Sequence, residues 1–527
     1  MAKEIKITVV TDDDKMNMTP EGKKEVYEVL THDSSTTLMS TLRKNGLISG
    51  SFCGGRGDCG RCRVQFVKGG PLPTALERSI MEAEELRQGY RLSCLARPKD
   101  NCVIRLVLSE EHEIAILSNM MDMPQKYDHF SQQNEMTISR KAGVSEIEED
   151  PNIADVMIAV DLGTTTVVMQ LIEIQTGCIQ DIFCSMNPQR CYGADVLSRI
   201  KASCEGHREV LQRMIGRLLE QGVEQFCIRG DKLPIRAMCI AGNTTMEHLL
   251  MGYDVSCLGS SPFTPVTIGW QEYEHPGWDF PVWILPGFST FVGGDIVAGL
   301  YALNLISAGA LQETALLIDL GTNGEIALTD GKRMIVTATA AGPAFEGGAE
   351  TEIVGSDMVA NTAFLLRQGL VDETGLLQEP YFTEGIDVGR PAVRIRNKDI
   401  RNLQMAKAAV RAGIEILWKE MGCPEIKKVY LAGGFGYYLD VEAAFCIGLL
   451  PEHMRGRVSA VGNTSLAGAY HIGCDLLHGK IDRREMEEEL SAVLKINLAE
   501  QEEFETLYMR YMNLQTNDFP EKHKAEN

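Results

Sequence analysis

Residues 4–10, "EIKITVV", and 102–110, "CVIRLVLSE", alternate apolar and polar positions and predict half-buried strands. Beyond Ala154 the pattern changes to strongly apolar strands that break at glycine turns, and it does so twice. "DVMIAVDLGTTTVVMQLIE" (155–173) is echoed by "TALLIDLGTNGEIALTD" (314–330). Each half later supplies a strand that stops at glycine before a helix: "RAMCIAGNTTMEHLL" (236–250) and "KKVYLAGGFGYYLDVEAAF" (427–445). A motif order repeated in two halves predicts two related α/β lobes. Residues 109–153 have little sustained periodicity and are rich in Gln, Asn, Ser and acids, which predicts a linker. The stretch after about 480 reads as charged helices that finish the second lobe. The expected boundaries are therefore 1–108, 109–153 (linker), 154–310 (lobe I) and 311–527 (lobe II).

Composition narrows the function classes. A chain of 527 residues with 44% hydrophobic and 24% charged residues reads as a soluble globular protein of several domains. The start, "MAKEIKITVV", lacks the apolar core of a signal peptide, and no run approaches about 20 apolar residues. A cytoplasmic location is expected, with no membrane span. A formal net charge of −22 repels phosphate backbones and anionic membranes, so neither nucleic acid nor a membrane is an expected partner. Fifteen cysteines in such a chain read as reduced thiols, some of them metal ligands.

The densest thiol run is "SFCGGRGDCGRCRVQF" (51–66), spaced Cys53-x5-Cys59-x2-Cys62, with Cys94 32 residues further on. Gly54, Gly55, Gly57 and Gly60 permit a tight turn whose backbone N–H groups can hydrogen-bond bridging sulfides. Three close thiolates and a fourth from a distant segment form the ferredoxin arrangement. The five-residue first gap resembles the adrenodoxin-like branch of [2Fe-2S] ferredoxins. Cys53, Cys59, Cys62 and Cys94 are the expected ligands. Zinc is the competing metal, although it favours two Cys-x2-Cys pairs and one is present. Cys102 is the competing fourth ligand, although its place at the start of an alternating strand suits a core residue.

"DLGTTT" (161–166) and "DLGTNGE" (319–325) sit where one strand turns into the next. A Gly-Thr turn offers N–H groups and a hydroxyl to phosphate oxygens, and the preceding carboxylate can hold hydrated Mg²⁺. One copy is an ordinary hairpin signal. Two copies, 158 residues apart and each ending an apolar strand, predict a polyphosphate clamp. No Walker-type glycine loop accompanies them.

These loops resemble the ATPase domain shared by acetate and sugar kinases, heat-shock chaperones and actin. In that resemblance Asp161, Gly163, Thr164, Thr165 and Thr166 belong to the first phosphate motif. Asp319, Gly321, Thr322, Asn323 and Gly324 belong to the second, and Gly433 and Gly434 in "LAGGFG" to the adenosine motif. "FVGGDIVAGLYAL" (291–303) resembles the first connecting helix and places Asp295 near the γ-phosphate, where it orients the attacking water. A helix N-cap is the other reading of Asp295. "RNLQMAKAAVRAGIEIL" (401–417) resembles the second connecting helix. Asp195 is a further acid candidate, with a helix start as the alternative.

The thiol run joined to this ATPase, together with "AGPAFEGG" (341–348), "GNTTMEHLL" and "DIRNLQMAKAAV", resembles the reductive activators of corrinoid-dependent methyltransferases. The resemblance implies a multidomain α/β protein: an N-terminal β-grasp, ferredoxin-like domain and a two-lobed actin-like ATPase with duplicated ribonuclease-H-like lobes. It implies a [2Fe-2S] cluster, ATP and Mg²⁺ as cofactors. The expected partners are a corrinoid protein of a methyltransferase system and an upstream low-potential electron donor, with the chain a homodimer. The reaction it implies is ATP-dependent reduction of Co(II) to Co(I), as in anaerobic O-demethylation systems.

A ferredoxin-type cluster sits near about −400 mV, and Co(I) corrinoid is a stronger reductant. Each 59 mV uphill costs about 1.4 kcal/mol for one electron, so a gap of one to two hundred millivolts needs roughly 2 to 5 kcal/mol. ATP-driven lobe closure is a source of that energy. The competing readings are an activator of a radical or dehydratase enzyme, and an electron-transfer adaptor whose lobes sense nucleotide. A sugar kinase leaves the thiol run unexplained.

Overall fold

The computed structural model describes residues 4–11, 26–44, 62–81, 83–106, 155–229, 234–306, 313–321, 323–341, 355–388 and 393–514. The proposed linker, 109–153, lies outside them. The chain forms two compact units, residues 1–111 with 186–215, and residues 112–185 with 216–527.

In the first unit, strands β1 (Glu4–Thr11), β2 (Val26–Asp33), β3 (Arg63–Lys68), β4 (Tyr90–Leu92) and β5 (Cys102–Leu106) form one sheet in the order β2-β1-β5-β3-β4. The central pair β1 and β5 is parallel and the other pairs are antiparallel, the mixed pattern of a β-grasp sheet. Alternation decides which face is buried: Ile7, Val9, Val64, Phe66, Cys102 and Ile104 pack with Leu38 and Leu42 of α1 (Leu38–Lys44). Helices α2 (Ala75–Ile80) and α3 (Ala83–Arg87) precede β4. Thr74 and Glu77 form a capping box at the start of α2, and the second oxygen of Glu77 accepts the Leu92 amide at 2.8 Å.

The second unit holds the two lobes. The first sheet comprises β6 (Val156–Leu162), β7 (Thr166–Glu173), β8 (Ile179–Met186), β9 (Ile235–Gly242), β10 (Gln271–Glu272) and β11 (Val282–Ile284), in the order β10-β11-β9-β6-β7-β8. Helix α4 (Val196–Ala202) and the start of α5 (Arg208–Arg229) fall in the first unit, and the rest of α5, α6 (Thr244–Met251) and α7 (Gly294–Ala302) fall in the second.

The second sheet is built from β12 (Ala315–Leu320), β13 (Gly324–Thr329) and β14 (Met334–Thr339). A separate hairpin, β15 (Ile386–Val388) with β16 (Val393–Ile395), follows. Then β17 (Lys428–Ala432), β18 (Val458–Gly462) and β19 (Leu494–Lys495) complete the order β18-β17-β12-β13-β14-β19. The series β11-β9-β6-β7-β8 and β18-β17-β12-β13-β14 match in order, the duplication that the repeated motifs predict. Helices α8 (Gly355–Arg367), α9 (Asn397–Glu420), α10 (Gly433–Tyr438), α11 (Val441–Cys446), α12 (Thr464–Leu477), α13 (Arg483–Ser491) and α14 (Phe504–Arg510) complete the unit.

The helix that crosses between lobes is not the one expected. Residues 401–417 lie in α9, which packs on β13, β14 and α14 within the second lobe. It is α12 that leaves β18 and packs against α7, β6 and β9. A methyl group at Gly468 would overlap the Ala298 carbonyl, and one at Gly299 would sit 2.7 Å from Thr464 Oγ1. Glycine lets the two helices cross with their backbones nearly touching. In the tail, α13 docks on the first lobe. Its Glu487 accepts the Trp270 amide at 2.8 Å, and Arg483 pairs with Glu272 at 2.7 Å. The chain then returns to the second sheet at β19. Among the described residues no helix is long and apolar enough to cross a membrane.

Candidate functional site

Two candidate sites lie in separate units. In the first, Cys62 precedes β3 and Cys94 follows β4, and β3 and β4 pair in antiparallel register. The Ser93 amide donates to the Cys62 carbonyl at 2.7 Å, which brings the two cysteines together. Their sulfurs lie 3.2 Å apart, both buried and unbridged. Met39, Met81 and Leu92 pack around them. Two adjacent thiols in a dry pocket suit shared metal ligation. Cys53 and Cys59 lie outside the described residues. Cys102 sits in the separate strand core, where burial pushes its thiol up to about 11. That environment disfavours the thiolate a ligand needs.

In the second unit, β6 ends at Asp161 and Leu162, and the loop Gly163–Thr165 leads into Thr166, the first residue of β7. A Cβ at Gly163 would lie 2.6 Å from the Thr166 carbonyl oxygen, so this turn demands glycine. Thr164 is buried and its hydroxyl accepts from Asn243 Nδ2 at 2.9 Å. The Asp161 carboxylate accepts from Asn463 Nδ2 at 2.7 Å and from the Ser465 hydroxyl at 2.9 Å.

The second loop is set by the antiparallel register of β12 and β13, in which Asp319 faces Glu325 and Leu320 faces Gly324. The Gly321 amide donates to the Asn323 carbonyl at 2.9 Å, closing the turn; Thr322 lies outside the described residues. Gly433, with φ +84°, follows β17 and opens α10 beside this loop. A Cβ there would meet Asp319 Oδ1 at 2.6 Å and the Leu320 carbonyl at 2.8 Å. Gly433 therefore lies against the Asp319–Gly324 loop.

Asp295 stands in the first turn of α7, whose N-cap is Gly293, so Asp295 is not the cap. Its Oδ1 accepts the Ile296 amide at 2.9 Å. Burial, and then the neighbouring Asp161, push Asp295 up to about 7. Burial, then Asp295 and Asp161, push Asp319 up to about 8. Asp161 is raised by burial, while its bonds from Asn463 and Ser465 pull the other way. The fold thus brings all three predicted carboxylates into one electrostatic group. Glu325 and Glu247, which the sequence reading missed, join it: burial raises both, with repulsion from Asp295 next in each case. Among the described residues none of these five carboxylates forms an ion pair with Lys or Arg, and no three His, Cys, Asp or Glu side chains stand close enough together to hold a metal ion by themselves.

Asp195 is not part of this group. It is the N-cap of α4, accepting the Ser198 amide at 2.8 Å. Glu325 was legible from hairpin register, six residues after Asp319. Asn243 and Asn463 carried a signal in the repeated Gly-Asn-Thr triplet, at 242–244 and 462–464.

Comparisons with known proteins bear on the whole chain. A 2Fe-2S iron-sulfur cluster binding domain matches residues 18–99, the RACo middle region matches 156–308, and the C-terminal domain of RACo, the ASKHA domain, matches 313–352 and 349–524. Among curated proteins the chain is similar to the corrinoid activation enzyme RamQ of Eubacterium limosum, 30% identical over 59% of this chain and 63% of that one. It is also similar to the [Co(II) methylated amine-specific corrinoid protein] reductase of Methanosarcina barkeri, 24% identical over 60% of this chain and 69% of that one. The matched part thus spans a little under two thirds of RamQ. Among solved structures it resembles a reductive activator for corrinoid, iron-sulfur protein, with TM-score 0.62 and 25% identity over 98% of this chain and 100% of that one. The RACo middle and C-terminal models fall in order on the two lobes behind a 2Fe-2S domain, and the chain belongs to the RACo family.

Proposed function

We propose that this protein is an ATP-dependent reductive activator of a corrinoid protein. One electron from an upstream low-potential donor passes through the N-terminal domain to the partner's Co(II) corrinoid, giving Co(I), while ATP and water become ADP and phosphate in the cleft. The observation that carries the reading is the union, in one chain, of two buried thiols 3.2 Å apart and a buried group of carboxylates, Asp161, Asp295 and Asp319. The similarity to RamQ and to the corrinoid protein reductase supports the substrate.

Cys62 and Cys94 fit a [2Fe-2S] cluster, with Cys53 and Cys59 as the other two ligands. When bound, the cluster supplies a one-electron carrier of low potential. The remaining work falls to side chains of the cleft. Asp319 accepts no hydrogen bond among the described residues, so both its oxygens are available to hydrated Mg²⁺. Thr164, Thr165, Thr166 and Gly163 on one side, with Gly321, Thr322, Asn323 and Gly324 on the other, hold the phosphates. Gly433 and Gly434 admit the nucleoside. Asp295 orients the attacking water as its acceptor. The reading includes a cytoplasmic homodimer.

A pair of variants tests it. Asp319→Asn removes the charge at constant volume, so the cluster should form and accept an electron from dithionite. ATP hydrolysis and ATP-dependent Co(I) formation in a corrinoid protein should both fall more than about tenfold (about 1.4 kcal/mol of barrier). Cys59→Ser should give the mirror result, with nucleotide binding kept and cobalt reduction lost. Corrinoid reduction by Asp319→Asn at the parent rate would hand the function to a plain electron-transfer adaptor.

A further inference from the structure

The two Gly-Asn-Thr triplets end strands β9 and β18 and begin helices α6 and α12. In each, the asparagine is the N-cap: Asn243 Oδ1 accepts the Met246 amide at 3.0 Å, and Asn463 Oδ1 accepts the Leu466 amide at 2.8 Å. Capping leaves each side-chain nitrogen free to donate elsewhere, one to the loop after β6 and the other to the end of β6 itself. Asn243 reaches Thr164 Oγ1 at 2.9 Å and Asn463 reaches Asp161 Oδ2 at 2.7 Å. The duplicated fold does not require this convergence. Strand β9 neighbours β6, whereas β18 lies at the outer edge of the other sheet, beside β17.

Asn463 and Ser465 stand where the chain leaves the second sheet and enters the helix that crosses α7. Their donations fix both oxygens of a carboxylate carried by the first sheet. Each oxygen keeps a second lone-pair direction, so the carboxylate can still accept from an ion's water shell. A movement of α12 relative to β6 breaks both bonds at once.

We propose that Asn463 and Ser465 are positioning residues: they hold Asp161 as an oriented acceptor for the metal–nucleotide and tie that engagement to the seating of α12 on α7. The proposal rests on reading the cleft as a divalent-metal–ATP site. Donation to a carboxylate is stronger than between neutral groups, and its loss frees the acceptor to rotate. The cost should appear in the metal dependence of nucleotide binding.

The test uses the full-length protein with its cluster, Mn²⁺ and a fluorescent ATP analogue. Asn463→Ser retains a good N-cap but is too short to reach Asp161. Ser465→Ala removes the second donor, and Ser465→Thr restores a hydroxyl. The Mn²⁺ concentration for half-maximal nucleotide binding should rise about tenfold in Asn463→Ser and in Ser465→Ala, and return to the parent value in Ser465→Thr. Metal-free nucleotide binding and cluster absorbance should stay near the parent values, and the melting temperature should fall only by the loss of one hydrogen bond to a buried carboxylate. Unchanged Mn²⁺ dependence overturns the proposal, as does an equal loss of metal-free binding. If Asn463→Ser fails to fold, the Ser465→Ala and Ser465→Thr pair decides by the same readout. A parent protein with no divalent-dependent nucleotide binding overturns both this proposal and the ATP reading. A parent that binds Mn²⁺–nucleotide normally and reduces no corrinoid protein overturns the function alone.

Discussion

Asp319 and Glu325 face each other across the β12–β13 ladder, so two carboxylates stand on one face of the sheet beside the turn that joins the two strands. Like charges placed directly opposite destabilise a sheet. Burial adds to the effect, and Asp319 is pushed up to about 8.

The first prediction follows from the direction of that shift. A carboxyl whose folded pKa lies above its unfolded value near 4 contributes its stability in full below that value, and loses it as pH rises through about 8. The metal-free protein should therefore melt at lower temperature at pH 9 than at pH 6, and Asp319→Asn should show a flatter dependence. Mg²⁺ replaces the protons, so its stabilisation should be larger at pH 9. Thermal melts with and without Mg²⁺ check this; a Mg²⁺ effect independent of pH removes these carboxylates as ligands.

A second prediction separates the two candidate fourth thiols. Cys94→Ser should lose most of the visible absorbance of the anaerobically purified protein, because Cys94 lies 3.2 Å from Cys62. Cys102→Ser should keep its iron and sulfide, since that thiol belongs to the strand core. Its cost should be one of stability, about 1 to 3 kcal/mol for a buried hydroxyl without a partner. Iron and sulfide analysis of both variants decides between them.

The helix crossing gives a third. In Gly468→Ala the new methyl overlaps the Ala298 carbonyl, and α7 and α12 must separate. Overpacking of this kind costs about 1 to 3 kcal/mol, read as a lowered denaturation midpoint. Nucleotide-dependent protection from proteases should weaken in the same variant, because the shift reaches Asn463 at the start of α12. A variant with the parent midpoint would show that the crossing relaxes without cost.

The C-terminal segment supplies the fourth. Lys407 is fully buried in α9 and donates to the Asn513 carbonyl at 2.5 Å, while Gln404 Nε2 donates to the Met512 carbonyl at 2.7 Å. The Arg411 guanidinium lies over the Tyr511 ring, 4.7 Å from its centre. Lys407→Met keeps much of the volume and loses the donor, so trypsin should cut after Arg510 several times faster at unchanged cluster content. Equal cutting rates would show that the segment is held by apolar packing alone.

What the sequence determined by itself was local. Cysteine spacing, the two Asp-Leu-Gly-Thr turns and the strand alternation each rest on neighbours a few residues apart, where backbone geometry leaves few choices. Even Glu325 follows from Asp319 by counting across a tight hairpin. The partners of these local features were decided by tertiary structure. The small residues Ala406, Ala409 and Gly413 announce a close neighbour for α9, yet nothing local says whether it is the other lobe or the second sheet. It is the second sheet, where a Cβ at Gly413 would meet Ile326 at 2.9 Å. Asp161 and Asn463 are 302 residues apart, and their 2.7 Å hydrogen bond exists only because α12 leaves one sheet to cross the other lobe's helix. A side chain's periodicity reports that it will be buried; the topology of the whole chain chooses what it is buried against.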